Sequence, residues 1–184
     1  MDTEQRKQLL NYEYGFSAYM LGVNVEKAKS LIQRLAIHLE QVKSELPEER
    51  YCAYLASVYT YQLALNKKQL VKYAKSIYGN IERAMELNAN DPFVLSMQGN
   101  VEFYSPFGNK KTALLYYQKA DSLYAVKGVD YERWNRRAVQ MTYIYSLDKM
   151  RRKEEAIALC EKLLAEEPNN VNFQHLLEEL HATN

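Results

Sequence analysis

The chain of 184 residues carries a net charge of +1, and 26% of its residues are charged. A net charge so close to zero provides no field that would draw in nucleic acid, so we expect no nucleic-acid partner. The sequence contains no run of eighteen apolar residues, and we therefore expect no membrane span. Only six glycines and four prolines interrupt the chain, which favours helices throughout.

The first half of the chain contains four stretches with the apolar periodicity of helices. Gly22 and Asn24 end the first stretch, and Pro47 ends the second. A polar turn at residues 66–68 separates the third stretch from the fourth. Each neighbouring pair of helices is therefore expected to form an antiparallel hairpin.

The second half of the chain also has the apolar periodicity of helices, and it begins with a clear signal for a helix N-terminus. Asp91 is a good N-cap residue, and Pro92 suits a first helical turn. Asp130 is the expected N-cap of a later helix, and Pro168 ends the last hairpin. The hairpins and a final capping helix are expected to form a single domain over residues 1–184. They span residues 3–46, 49–88, 92–126, 130–167 and 170–182.

Small residues, large residues and a proline recur at fixed spacing in these hairpins. Ala156 lies twelve positions before Pro168 and nine positions after Leu147. The nine-residue step recurs from Tyr19 to Ala28. Small residues and an aromatic residue stand at corresponding places elsewhere, at Ala84, Gly99, Ala113, Tyr117 and Ala120. This pattern resembles that of the tetratricopeptide repeat (TPR) family.

The resemblance implies an all-α fold, namely a right-handed α-solenoid of about four antiparallel hairpins plus the capping helix. An unrelated helical bundle is the alternative. In the family the first helix of each hairpin lines a concave groove that holds a peptide or a partner protein. The resemblance thus implies a non-enzymatic interaction module or adaptor. The groove positions carried over to this chain are Ser17, Met20, Tyr54, Ser57, Tyr61, Ser96, Asn100, Tyr104, Met141 and Tyr145.

Tyrosine is the unusual feature of the composition, with sixteen residues. It combines rigid contact area with a hydrogen-bonding hydroxyl, which suits the capture of an extended peptide or a helix. The alternative for each groove tyrosine is packing between hairpins. A second function class is a structural subunit of a larger assembly, which self-associates through apolar faces at its ends and could form a homodimer. Those faces carry Leu9, Leu10 and Phe16, or Phe173 and Leu177.

The chemistry-bearing residues form no recognisable catalytic or metal-binding motif. His175 and His181 are six positions apart and point to different faces of one helix. Neither a glycine-rich phosphate loop nor a nucleophile motif is present. We expect no enzyme activity, no metal and no cofactor. Cys52 and Cys160 fall in apolar stretches and are expected to be buried thiols, with a single disulfide as the alternative.

The loop that contains Phe107 and the basic residues of the second half each allow more than one interpretation. Phe107, between the helices of the third hairpin, is expected to fold back onto the helices, with contact to a ligand as the alternative. The basic residues at 133–137 and 149–153 are expected to be solvated and locally balanced rather than to bind an anion.

The polar N-terminal residues do not form a signal peptide. The compartment stays open: cytoplasmic if the chain is complete, periplasmic or secreted if an export signal has been removed.

Overall fold

The computed structural model describes residues 1–128 and 132–182, and every regular element in these residues is helical. The all-α fold class predicted from the sequence is therefore confirmed. The short 3-10 turns Lys43–Glu45 and Lys67–Gln69 lie between α-helices of the first half of the chain. The helices are α1 (Thr3–Val23), α2 (Val25–Gln41), α3 (Glu48–Leu65), α4 (Leu70–Asn88), α5 (Pro92–Tyr104), α6 (Lys110–Lys127), α7 (Arg133–Lys149), α8 (Lys153–Glu166) and α9 (Val171–Ala182).

Short polar side chains begin several of these helices. Oδ1 of Asp91 accepts hydrogen bonds from the backbone N–H groups of Phe93 at 2.9 Å and Val94 at 3.1 Å. The predicted N-cap of α5 is therefore confirmed. Asn109 caps α6 in the same manner. The other predicted cap, Asp130, lies outside the described residues.

The helices divide into two compact units, Met1–Val101 and Glu102–Asn184, and the boundary between them falls within α5. In the first unit α1 pairs with α2 and α3 pairs with α4, while α3 also contacts α1 and α2. The α3–α4 pair is antiparallel, since Arg83 near the end of α4 binds Glu48 at the start of α3 at 2.9 Å. The core of the first unit includes Leu10, Leu35, Leu39, Tyr54, Val58, Ile81 and Phe93.

In the second unit α6 pairs with α7, α7 with α8, and α8 with α9. Arg136 of α7 binds Asp121 of α6 at 2.8 Å, and Gln140 donates to the same carboxylate at 2.8 Å. The thiol of Cys160 on α8 donates to the carbonyl oxygen of Phe173 on α9 at 3.3 Å. Burial raises the pKa of the Cys160 thiol. Both cysteines of the chain are buried and free, which confirms the prediction of buried thiols.

Small residues lie at buried positions where the sequence pattern placed them. An alanine lets a facing helix approach closely, because its side chain is a single methyl group. The helix-hairpin organisation that the TPR resemblance implies is therefore present in each unit. Membership of that family, a right-handed solenoid and a single domain stay predictions. The fully buried alanines are Ala28, Ala84, Ala113, Ala120 and Ala156.

Arg151, in the turn between α7 and α8, has a positive φ of 60°. A side chain in this left-handed region costs about 1 kcal/mol, whereas glycine adopts it freely. The substitution Arg151→Gly is therefore expected to raise the free energy of unfolding by about 1 kcal/mol, as measured by urea denaturation. Glycine in place of Ala138, an exposed residue inside α7, should instead lower it by about 1 kcal/mol. A lower free energy of unfolding for Arg151→Gly would contradict the claim that the positive φ of Arg151 destabilises the folded chain.

Candidate partner-binding face

Side chains from three helices meet on one face of the first unit. The rings of Tyr14 on α1 and Tyr61 on α3 stack with their centroids 5.8 Å apart and their planes 21° apart. The hydroxyl of Tyr14 and the side-chain amide of Asn100 donate to the sulfur of Met97 on α5, at 3.4 and 3.9 Å. Tyr14, Tyr61 and Asn100 are partly exposed, whereas Met97 is buried. These four residues are called the tyrosine face below.

Several of the residues carried over to a groove are buried inside the first unit. The hydroxyl of Tyr54 donates to Oδ1 of Asn11 at 3.1 Å, so this tyrosine packs within the unit. The hydroxyls of Ser57 and Ser96 donate to backbone carbonyls of their own helices, at 3.0 and 2.7 Å. Assignment of these residues to a partner-binding groove stays a prediction. The buried members of the set are Ser17, Met20, Tyr54, Ser57 and Ser96.

A separate aromatic cluster lies in the second unit. The ring of Phe103 is buried and contacts the rings of Tyr104 and Tyr145, whose centroids are 5.1 and 6.5 Å away. Tyr104 and Tyr145 are 59% and 41% exposed, and Met141 is half-buried. Desolvation raises the pKa of Tyr104, and the neighbouring Tyr145 adds to the shift. The ammonium of Lys149 lies 5.0 Å from the centroid of the Tyr145 ring.

Three residues of these clusters were missed by the sequence reasoning, namely Tyr14, Met97 and Phe103. Tyr14 and Met97 stand three positions before Ser17 and Asn100, on the same sides of their helices. That spacing is the signal that could have found them. Tyr14 and Met97 are 83 residues apart in the chain, so no pattern within one helix reveals their contact.

The arginines at the start of α7 are balanced by carboxylates. Arg133 and Arg137 both bind Glu167, and Arg136 binds Asp121. Burial lowers the pKa of Arg137, and the positive charges of Arg133 and Arg136 lower it further. The three arginines line a small pocket of the second unit. Their ion pairs favour the interpretation as balanced charges over an anion site.

Phe107 is 88% exposed, so the expectation that it folds back onto the helices is wrong. The loop is held through its neighbours, since the N–H of Asn109 donates to Oε2 of Glu102 at 2.7 Å. Gly108 lies so close to α5 that a Cβ on it would clash with the backbone carbonyl of Glu102. Because the glycine takes the place against the helix, the phenylalanine beside it is left in solvent.

The residues expected to form self-association faces are mostly covered by their own chain. Leu10 is fully buried and Phe173 is buried on α9. Leu9 and Leu177 are half-buried, and Phe16 is 38% exposed. Of these five residues, only Phe16 therefore presents a large part of an apolar side chain to solvent.

His38 belongs to a buried polar network between α1 and α2. Its Nδ1 lies 2.8 Å from one carboxylate oxygen of the buried Glu13, and Arg34 binds the other oxygen at 2.7 Å. Within the described residues, no group of three or more His, Cys, Asp or Glu side chains is arranged to hold a metal ion. No described helix has both the length and the apolar character that crossing a membrane requires.

Comparison with known proteins finds a similar solved structure but no matching family. No protein-family model matches it, and no curated protein matches it. A chain in the crystal structure of the APC/C hetero-tetramer Cut9-Hcn1 is similar, with a TM-score of 0.49 and 13% sequence identity. The match covers 96% of this chain and 40% of that chain. Similarity at this level assigns neither a family nor a partner to the chain.

Proposed function

We propose that the chain is a non-enzymatic interaction module that binds a peptide or a partner protein on the tyrosine face. The observation that carries this proposal is the meeting of three helices at Tyr14, Tyr61 and Asn100. Each helix contributes a partly exposed side chain with both contact area and a hydrogen-bonding group. Such a combination suits a peptide, which presents backbone amides together with side chains.

The tyrosine face is ordered before any partner arrives. The ring of Tyr14 packs against those of Tyr61 and Phe93, with centroid distances of 5.8 and 5.6 Å. A side chain that is already fixed loses little conformational entropy when a partner binds. The sulfur of Met97 is a weak acceptor, so exchange of its hydrogen bond from Tyr14 for one to a partner carbonyl would be favourable. Order and replaceable hydrogen bonds both support binding at this face.

The second unit offers Tyr104 and Tyr145 for contact of the same kind. More than a third of each side chain is exposed, while the buried ring of Phe103 supports both. Rigid, exposed aromatic residues are typical of the positions that carry binding energy in protein interfaces. We therefore include both tyrosines in the proposed binding residues.

Affinity capture from the native host tests the proposal with a triple variant, Tyr61→Ala, Tyr104→Ala and Tyr145→Ala. A partner that the wild type captures should bind the triple variant at least about tenfold more weakly, because aromatic anchors are lost. The matched control combines Val71→Ala, Leu115→Ala and Val126→Ala, which removes exposed apolar side chains elsewhere and should leave binding unchanged.

Circular dichroism establishes that both triple variants are folded before binding is compared. A folded tyrosine variant that keeps every wild-type partner at unchanged affinity would show that the assignment is wrong. Equal loss of partners by the control variant would likewise place the binding surface elsewhere.

A further inference from the structure

The outward side of α1 carries a continuous apolar stripe. Tyr12, Phe16, Tyr19 and Val23 follow one another at spacings of four, three and four residues, which places them on one face of the helix. Their exposed fractions are 54%, 38%, 62% and 60%. The opposite side of α1 packs inside the first unit, for instance through the fully buried Leu10. The four exposed residues are called the outer α1 stripe below.

No charged side chain lies on the outward face of α1 between positions 5 and 23, a length of about 27 Å. Charged residues of this helix lie elsewhere on it: Arg6 binds Glu45, and Glu13 is buried against α2. A helix side that faces only water normally carries the charged residues, so this side is suited to burial. The uncharged residues that complete it are Gln5, Gln8 and Gly15.

We infer that the outer α1 stripe binds the same stripe of a second copy, so that two chains form a symmetric dimer. A two-fold interface requires that residue i contacts residue j while j contacts i. The 4-3-4 spacing reads the same in both directions, so an antiparallel pair of α1 helices meets this requirement. Phe16 of each copy then faces Tyr19 of the other, and Tyr12 faces Val23. The opposed helix dipoles also attract each other in this arrangement.

The area of the stripe matches what such a dimer needs. Aromatic side chains cover about 150–250 Å² each, so the exposed fractions amount to roughly 400 Å² of apolar surface per copy. Two copies would bury on the order of 800 Å² of it. Since apolar atoms make up about 60% of a typical interface, the whole interface comes to about 1,300 Å². That value lies within the range of specific interfaces of standard size.

The centre of the stripe is ordered in the single chain. The rings of Phe16 and Tyr19 stack with their centroids 6.4 Å apart and their planes 16° apart. The ammonium of Lys27 lies 5.5 Å from the centroid of the Phe16 ring. Aromatic side chains that are held in place before association lose less entropy in the interface.

Sedimentation equilibrium of the full chain, from about 1 to about 200 µM, tests the dimer itself. The expected result is a concentration-dependent equilibrium between monomer and dimer with a Kd in the micromolar range. A chain that sediments as a monomer over this whole range would overturn the inference.

The substitution Tyr19→Glu tests the surface. It places two glutamates in the apolar centre of each dimer and should raise the dissociation constant roughly 100-fold. The matched control, Val71→Glu, places the same charge at a residue of α4 that is 87% exposed and should leave the constant unchanged. Val23→Glu replaces Tyr19→Glu if the latter does not fold, as judged by circular dichroism. An unchanged dimer in the stripe variant, or equal dissociation of the control, would refute the stripe as the interface.

Cysteine cross-linking tests the antiparallel direction. Phe16→Cys and Tyr19→Cys chains are mixed and oxidised with copper phenanthroline, while the native cysteines stay buried. Disulfides should form between the two different variants faster than within either variant alone. Faster cross-linking of Phe16→Cys with itself would instead indicate parallel helices and contradict the proposed pairing.

Discussion

Replacing Phe93 with alanine is expected to lower the free energy of unfolding by about 3–5 kcal/mol. The Phe93 side chain is 1% exposed, and its ring centroid lies 5.6 Å from that of Tyr14 and 4.4 Å from that of Tyr54. The guanidinium of Arg50 lies 6.0 Å from the same ring centroid. Loss of the ring leaves a cavity beside the tyrosine face that these neighbours cannot fill without moving. Urea denaturation followed by circular dichroism measures the change.

The matched control for Phe93→Ala is Phe107→Ala. It deletes the same side chain from a position that is 88% exposed and should change the free energy of unfolding by less than about 0.5 kcal/mol. Two variants with equal stability would contradict the placement of Phe93 in the core. A large loss of stability in Phe107→Ala would show that this loop packs against the helices after all.

Leucine in place of Ala156 is expected to destabilise the chain by about 1–3 kcal/mol. Ala156 is fully buried near the start of α8, in the unit where α8 packs against both α7 and α9. Three additional carbon atoms cannot fit there unless the helices separate or the side chain leaves its preferred rotamer. Thermal and urea denaturation of the wild type and of Ala156→Leu measure the difference in the free energy of unfolding.

Ala158, two residues further along α8, is exposed and provides the control on the same helix. Ala158→Leu makes the same chemical change without overpacking, so stability should stay within about 0.5 kcal/mol of the wild type. If Ala156→Leu is tolerated equally well, then Ala156 does not lie at a close helix crossing. The hairpin packing of the second unit would then be wrong.

Local features of the fold could be predicted because their causes lie within a few residues. Asp91 and Pro92 supply a cap and a suitable first turn, and α5 begins where they stand. Buried alanines such as Ala84 and Ala156 could be found because helix packing requires a small residue at fixed spacing. The apolar pattern and Pro47 predict a second helix that continues to residue 46, whereas α2 ends at Gln41 and a 3-10 turn follows. Helix ends of this kind depend on tertiary contacts rather than on periodicity.

The candidate site could be predicted less completely, because the burial of a side chain depends on contacts from helices that are distant in the sequence. Tyr54 and Tyr61 are seven residues apart and lie on the same side of α3, so the sequence pattern treats them alike. Contacts from α1 and α5 bury Tyr54, while Tyr61 stays partly exposed. The prediction that the Phe107 side chain packs onto the helices is wrong for a similar reason. The close approach of Gly108 to α5 leaves the neighbouring Phe107 side chain in solvent.

The proposed function depends most directly on where a partner touches the first unit. Hydrogen–deuterium exchange, measured with and without a captured partner, locates that contact because binding slows local opening of the helices beneath it. The expected result is slower exchange in residues 54–65 and 92–101, which carry Tyr61, Met97 and Asn100, with no change in α9. Slower exchange confined to other segments, with these two unaffected, would contradict the proposal that the tyrosine face holds the partner.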